Sequence, residues 1–306
     1  MQLQPIKHIV KHITECIYPP RCIACSCLLS AHGQSSCLCE DSNILLKYLC
    51  RECAEKLSAN KIFNRFAMQE LNDGNLMACD KCGEILPPLN VQFECCPICR
   101  IAPFAANHIR SLYTYNNDTR APLMTFKYFQ KFGLNKLFSG LIMQNLKQSA
   151  MHDYQIFPKT DWDYIIPIPS SPDILRARGY NHIYLTAKII AKNFGCKTAP
   201  GFLVSGKNRT AQTMLTLKER PQNVKNAFVL SKGSEDKLRG SKILLLDDML
   251  TTGSTIDAAT KVLLDDGHAL SVDVLTVFRS ASFARDRIKA IQDLVTPTGI
   301  EPVFTA

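Results

Sequence analysis

The segment Ile243-Leu-Leu-Leu-Asp247-Asp248-Met249-Leu250-Thr251-Thr252-Gly253-Ser254-Thr255 joins an unbroken apolar run to two carboxylates and then to a hydroxyl-rich turn. Four consecutive apolar residues read as a strand buried on both faces, as in a parallel sheet. The turn reads as a loop opening a helix, whose first N–H groups lack partners and whose dipole favours an anion. Its threonine and serine hydroxyls add donors. Gly253 lets the backbone approach a phosphate and permits a positive φ. Asp247 and Asp248 suit vicinal ribose hydroxyls or a Mg²⁺ ion. Strand, acid pair and anion-binding turn, in that order, are what is needed to hold a sugar that carries both hydroxyls and a phosphate. The alternative is an ordinary strand–turn–helix with an acidic strand end. A Walker-type loop is excluded, since no Gly-Lys-Ser/Thr follows.

The pattern on either side extends this reading. Strands are expected at Ile109–Tyr115, Tyr164–Pro169 and Leu270–Phe278, and helices at Ala121–Lys147, Ile183–Phe194, Ile256–Leu264 and Phe283–Leu294. Alternation of this kind predicts an α/β fold, a parallel sheet with helices on both faces and right-handed crossovers. Ligands of such sheets sit beyond the carboxyl ends of the strands, where Asp247, Asp248 and the Thr251–Thr255 loop fall.

Two further polar clusters stand out. Ser170 and Ser171 close a proline-bounded strand, with Arg176 and Arg178 shortly after. Guanidinium groups bind phosphate oxygens bidentately, so this cluster suits pyrophosphate; a solvated basic helix start is the alternative. Residues 207–224, with Arg209, Thr210 and Gln212, are polar and poor in strand or helix signals, as a flap over an active site would be. A plain surface excursion reads the same way.

The chain's 306 residues allow one large domain or two smaller ones. A formal net charge of +9 favours anionic partners such as phosphorylated ligands or nucleic acid. No run of about 18 apolar residues is present, so no membrane span is expected. The first residues lack a signal-peptide core, which points to the cytoplasm. There, 14 cysteines read as metal ligands rather than disulfides.

Thirteen of those cysteines precede residue 100, and four CxxC pairs stand among them: Cys22/Cys25, Cys50/Cys53, Cys79/Cys82 and Cys96/Cys99. Each CxxC turn offers two thiolates to one metal, and two turns complete a tetrahedral site with no open position. Two structural Zn²⁺ ions are therefore expected, because a segment poor in apolar residues gains its fold from the metal. Sequential pairing is preferred, with an interleaved ribbon as the alternative. Cys16, Cys27, Cys37, Cys39 and Cys95 lie close enough in sequence to substitute for a neighbour, whereas Cys196 reads as core or surface.

The Leu245–Thr255 segment resembles the diphosphate-ribose motif of type I phosphoribosyltransferases. Other motifs make the likeness more specific. They are Arg21-Cys22-x-x-Cys25 with the other CxxC pairs, Phe126-Lys127-Tyr128, Pro167-x-Pro169, Arg176-x-Arg178-Gly179-Tyr180-Asn181, Arg209-Thr210-x-Gln212 and Arg220-x-x-Asn223-Val224. Together they resemble the ComF family, phosphoribosyltransferase-like proteins with an N-terminal double zinc ribbon. His182 departs from that pattern, where many members have Gln.

The resemblance implies a zinc-ribbon region over 1–105, a phosphoribosyltransferase-like domain over 106–280, and a helix and tail over 281–306. It implies that Asp247 and Asp248 contact the ribose hydroxyls while Met249, Leu250, Thr251, Thr252, Gly253, Ser254 and Thr255 form the 5′-phosphate loop. Ser170, Ser171, Arg176, Arg178 and Lys127 would hold pyrophosphate. Phosphoribosyl diphosphate with Mg²⁺ is the implied ligand. Single-stranded DNA and a helicase or recombination-mediator protein are the implied partners, in the uptake or processing of exogenous DNA. An active phosphoribosyltransferase and a zinc-ribbon adaptor between proteins are the alternatives.

Overall fold

The computed structural model describes residues 19–29, 42–62, 78–84, 95–128, 134–149, 157, 161–206 and 227–295. Its strands are β1 (Ile109–Tyr115), β2 (Tyr164–Pro167), β3 (Lys197–Thr198), the antiparallel pair β4 (Leu203–Ser205) and β5 (Phe228–Leu230), β6 (Lys242–Leu250) and β7 (Ser271–Ser280). Five of them form one sheet, in the order β1-β7-β6-β2-β3, and every pairing is parallel. The helices are α1 (Ser42–Leu45), α2 (Arg51–Ala59), α3 (Pro97–Ile101), α4 (Asn117–Tyr128), α5 (Leu134–Ser149), α6 (Pro172–Arg178), α7 (His182–Phe194), α8 (Glu235–Leu238), α9 (Ser254–Lys261) and α10 (Phe283–Val295). A short π-helical turn over Val262–Asp266 continues α9.

The apolar run of β6 serves both faces of the sheet. Leu244 and Leu246 enter a core shared with α5 and α7, whereas Ile243 and Leu245 enter a second core with α9. Period-2 alternation in a strand covered on both sides requires this division. The cysteine regions belong to the same two cores. Cys22, Ile23, Leu45 and Leu57 pack in the first, and Cys79, Cys82, Cys96 and Cys99 in the second. Backbone bonds add to the attachment, from Ile109 N to the Lys81 carbonyl (2.6 Å) and from Thr114 N to the Asn60 carbonyl (2.8 Å).

Two expectations are corrected. The strand read as Ile243–Leu246 continues to Leu250, because β7 runs alongside it and holds Asp247 opposite Thr276, Met249 opposite Phe278 and Leu250 opposite Arg279. Met249 and Leu250 are therefore strand residues rather than loop residues, and Leu250 is fully buried. The helix read over Ala121–Lys147 is described as α4 and α5, and residues 129–133 between them lie outside the described residues. The short N-terminal helix read before Pro19-Pro20, the 207–224 segment, Cys16, Cys37, Cys39 and the end of the chain after 295 lie outside the described residues. Among the described residues no helix is long and apolar enough to cross a membrane.

Candidate sugar-phosphate crevice and cysteine clusters

β2 and β6 part company at one level. Their last registered pair is Pro167 with Leu246, after which Ile168 N makes one more bond to the Leu246 carbonyl (2.9 Å). Pro169 has no N–H to continue the ladder. From Asp247 onward β6 is paired with β7 alone. The chain leaves β2 toward β3 on one side and leaves β6 toward β7 on the other, so a topological switch point opens beside the acid pair.

The two aspartates differ in their surroundings. Asp248 is buried, and both its oxygens are engaged: Oδ2 lies 2.7 Å from His182 Nε2, and Oδ1 lies 3.0 Å from Lys127 Nζ. Burial alone would raise its pKa. The His182 hydrogen bond and the Lys127 charge outweigh burial and hold the carboxyl below its ordinary value. Asp247 is only half-buried, and its Oδ1 accepts from Asp248 N at 2.8 Å. Of the pair, Asp247 is the carboxylate better exposed to the crevice.

The local sequence explains how His182 reaches Asp248. Ser171 caps α6 through Ile174 N (3.3 Å), and Gly179, at φ 76°, ends that helix in the left-handed region that glycine tolerates. Asn181 then caps α7, accepting from Ile183 N (3.0 Å) and Tyr184 N (3.1 Å), while its amide donates to the Ile168 carbonyl (3.3 Å). That double anchorage fixes the first residue of α7, His182, against β6. Ser170 is half-buried beside the crevice, and Arg176 is exposed and paired with Asp173. Lys127, read as a pyrophosphate group, forms an ion pair with Asp248.

Gly253 adopts φ 78° and caps α9. Thr252 Oγ1 lies 2.9 Å from Ser254 Oγ and accepts from Ser254 N at 3.3 Å, which folds the turn back on itself. Thr251 is exposed, and Ser254 and Thr255 are half-buried. A Cβ at Gly253 would lie 2.8 Å from Phe104 Cζ, and closer still to Cε1. Phe104 therefore packs directly on the turn. Arg287 stacks over the Phe104 ring, its guanidinium carbon 4.1 Å from the centroid, and donates to the Thr252 (3.4 Å) and Ala102 (3.5 Å) carbonyls. Burial pushes this guanidinium down from its ordinary value, with Asp257 offsetting part of the effect. Ala105 N donates to Asp257 Oδ1 at 2.9 Å. Neither Phe104 nor Arg287 carries a sequence signal: one follows the last CxxC and the other lies on an amphipathic helix.

The eight CxxC sulfurs gather into two groups, Cys22/Cys25/Cys50/Cys53 and Cys79/Cys82/Cys96/Cys99, each with its ligand atoms within 4.8 Å of one another. Tetrahedral zinc with thiolates at about 2.3 Å needs sulfurs about 3.8 Å apart. Cys25–Cys50 at 3.6 Å and Cys82–Cys96 at 3.7 Å fit that edge. Among the described residues all cysteines are free thiols. Crowding alone opposes full ionisation. Hydrogen bonds from Cys27, the backbone bond first, lower Cys25 to about 6, while burial and then Cys50 push Cys53 up. A dication in the middle would remove that conflict. Cys27 and Cys95 flank the clusters, and Cys196 lies apart, half-buried after α7.

A model of the phosphoribosyl transferase domain matches residues 184–300. The chain is 26% identical over 141 residues to Competence protein F of Haemophilus influenzae, covering 46% of this chain and 59% of that protein. It is 26% identical over 175 residues to Competence protein ComFC of Bacillus subtilis (56% of this chain, 64% of that protein). It is 24% identical over 191 residues to DNA utilization protein YhgH of Salmonella typhimurium (62% and 79%). The match thus spans less than two thirds of the first two relatives' length. Among solved structures, adenine phosphoribosyltransferase from Saccharomyces cerevisiae superposes with a TM-score of 0.31 at 20% identity, covering 53% of this chain and 76% of that one.

Proposed function

For a chain that is homologous to the ComF-type competence proteins and carries a phosphoribosyl transferase domain, we propose that the β6 crevice binds phosphoribosyl diphosphate and that the protein works on single-stranded DNA during uptake or processing of exogenous DNA. The carrying observation is the juxtaposition of half-buried Asp247 with the left-handed Gly253 turn at a switch point. In this reading Asp247 accepts from the ribose hydroxyls, and the Thr251–Thr255 turn with the start of α9 receives the 5′-phosphate. Asp248 orients the site from behind, through His182 and Lys127. Mg²⁺, held by the diphosphate oxygens and Asp247, would neutralise charge in the crevice. Structural Zn²⁺ would occupy both cysteine clusters. A cytoplasmic protein with a helicase or recombination-mediator partner completes the reading. Transfer of the ribosyl group to an acceptor is the further activity to be tested by pyrophosphate release against nucleobases and amines.

Calorimetry with phosphoribosyl diphosphate and Mg²⁺ tests the core of the proposal. Wild type is expected to bind, and Asp247→Asn to bind at least about tenfold more weakly, since a charged hydrogen-bond acceptor is worth roughly 1.5–3 kcal/mol. No binding by folded, zinc-loaded wild type refutes it.

A further inference from the structure

A second cleft, of about 500 Å³, opens at the same carboxyl edge of the sheet, between the ends of β1 and β7. Tyr115 and Asn117 line one wall with Arg120. Arg285, at the start of α10, faces them from the other wall. Both guanidinium groups belong to exposed residues, and among the described residues neither pairs with a carboxylate. The nearby acids are accounted for. Asp286 accepts from the Ser282 (2.7 Å) and Ser280 (3.2 Å) hydroxyls, and Asp118 lies exposed in the first turn of α4. Exposed arginines on a convex surface are ordinary. Two unpaired ones across a cleft of nucleotide size, with an aromatic ring and an unbonded amide between them, form a recognisable donor set.

We propose that this cleft binds the sugar-phosphate backbone of single-stranded nucleic acid. Arg120 and Arg285 would each take a phosphate, and the half-buried Tyr115 ring would offer a face to an unstacked base. The cleft opens to solvent and both its arginines are exposed, which suits a polymer passing through better than an enclosed mononucleotide. Only β7 separates β1 from β6, so the cleft and the sugar-phosphate crevice lie about 10 Å apart across the sheet edge. α10 links them, since Arg285 lines the cleft and Arg287 holds the Thr252 carbonyl. This inference rests on the nucleic-acid part of the proposed function and gives it a location.

The test is fluorescence anisotropy of a labelled oligothymidylate of roughly 20 nucleotides on the full, zinc-loaded chain at about 50 and 200 mM salt. Arg120→Glu/Arg285→Glu is compared with the charge-matched Lys188→Glu/Lys192→Glu on the exposed face of α7. The cleft variant is expected to lose at least about tenfold in affinity and to flatten the salt slope by about 1.4, two single-strand phosphate contacts, with phosphoribosyl diphosphate binding unchanged. Should the reversal variant unfold, Arg120→Gln/Arg285→Gln is expected to show the same flattening. Equal losses in cleft and control variants overturn the cleft but leave nucleic-acid binding standing. No binding by wild type at low salt overturns both. A duplex of the same length that competes as well as the single strand also overturns the proposal.

Discussion

Gly253→Ala tests the contact between Phe104, which follows the second cysteine cluster, and the Thr251–Thr255 turn. At φ 78° an alanine costs about 1–2 kcal/mol relative to its preferred backbone. Its Cβ would also meet the Phe104 ring, 2.8 Å from Cζ. That ring cannot retreat cheaply, because Arg287 covers it at 4.1 Å and Phe283 stacks beside it at 6.4 Å. Overpacking of this kind adds about 1–3 kcal/mol. The sum, about 3 kcal/mol, corresponds to a fall of roughly 6–12 °C in Tm for a domain of this size. The assay is thermal unfolding of zinc-loaded protein followed by Trp162, the only tryptophan, which is buried in the first core and bonded to Asp273. A double-mutant cycle separates the two causes. In a Phe104→Ala background the ring clash is gone, so only the backbone cost of about 1–2 kcal/mol remains. A Tm for Gly253→Ala within about 1 °C of wild type refutes the whole argument. An equal cost in both backgrounds refutes the ring contact while leaving the backbone strain.

Two further outcomes are expected. Asp248 has a folded pKa below its unfolded one, so it contributes stability that is present above about pH 4 and lost as pH falls through the folded value. Asp248→Asn should therefore cost about 1–3 kcal/mol near neutrality, and Tm curves of variant and wild type should converge below about pH 4; a gap that stays constant from pH 7 to pH 3 argues against the buried network. Metal analysis of purified protein should find about two zinc ions per chain, falling to about one in Cys82→Ser. Because Cys82 lies in the same core as β6 and β7, that variant should also lower the Trp162 transition, and zinc-free wild type with an unchanged transition would count against structural metal.

The sheet and its functional edge were legible in the sequence because they follow from local rules. The Ile243–Leu246 run could only be a strand buried on both faces, and Gly253 marked a backbone turn that other residues resist. The CxxC spacing likewise named the eight sulfurs before their positions were known. What was not legible depends on partners distant in the chain. Whether β6 ends at Leu246 or Leu250 is decided by the length of β7, not by β6 itself. That Lys127 lies beside Asp248 is visible only once the chain is folded, when Nζ meets the carboxylate of a residue distant in sequence. Phe104 and Arg287, far apart in the sequence, come together only when α3 and α10 meet beside the turn. His182 was visible as a departure from a family pattern, but its purpose appears only when Asn181 anchors α7 beside β6.

The placement of three arginines bears on how the cysteine-rich region should be understood. Arg110 of β1 donates to the Asp80 carbonyl (2.8 Å), Arg279 of β7 to the Gly83 carbonyl (3.3 Å), and Arg287 of α10 to the Ala102 carbonyl (3.5 Å). Each targets a backbone oxygen next to the second cluster. Such bonds join the cluster to both β1 and β7 and to α10, whose Arg287 also holds the Thr252 carbonyl. A ribbon tethered only by a linker would need none of them, and their desolvation would be a net cost. Buried guanidinium groups are retained where the geometry they fix matters more than the desolvation they incur. Arg287 also covers the Phe104 ring that packs against Gly253, so loss of the second cluster is expected to loosen the Thr251–Thr255 turn as well.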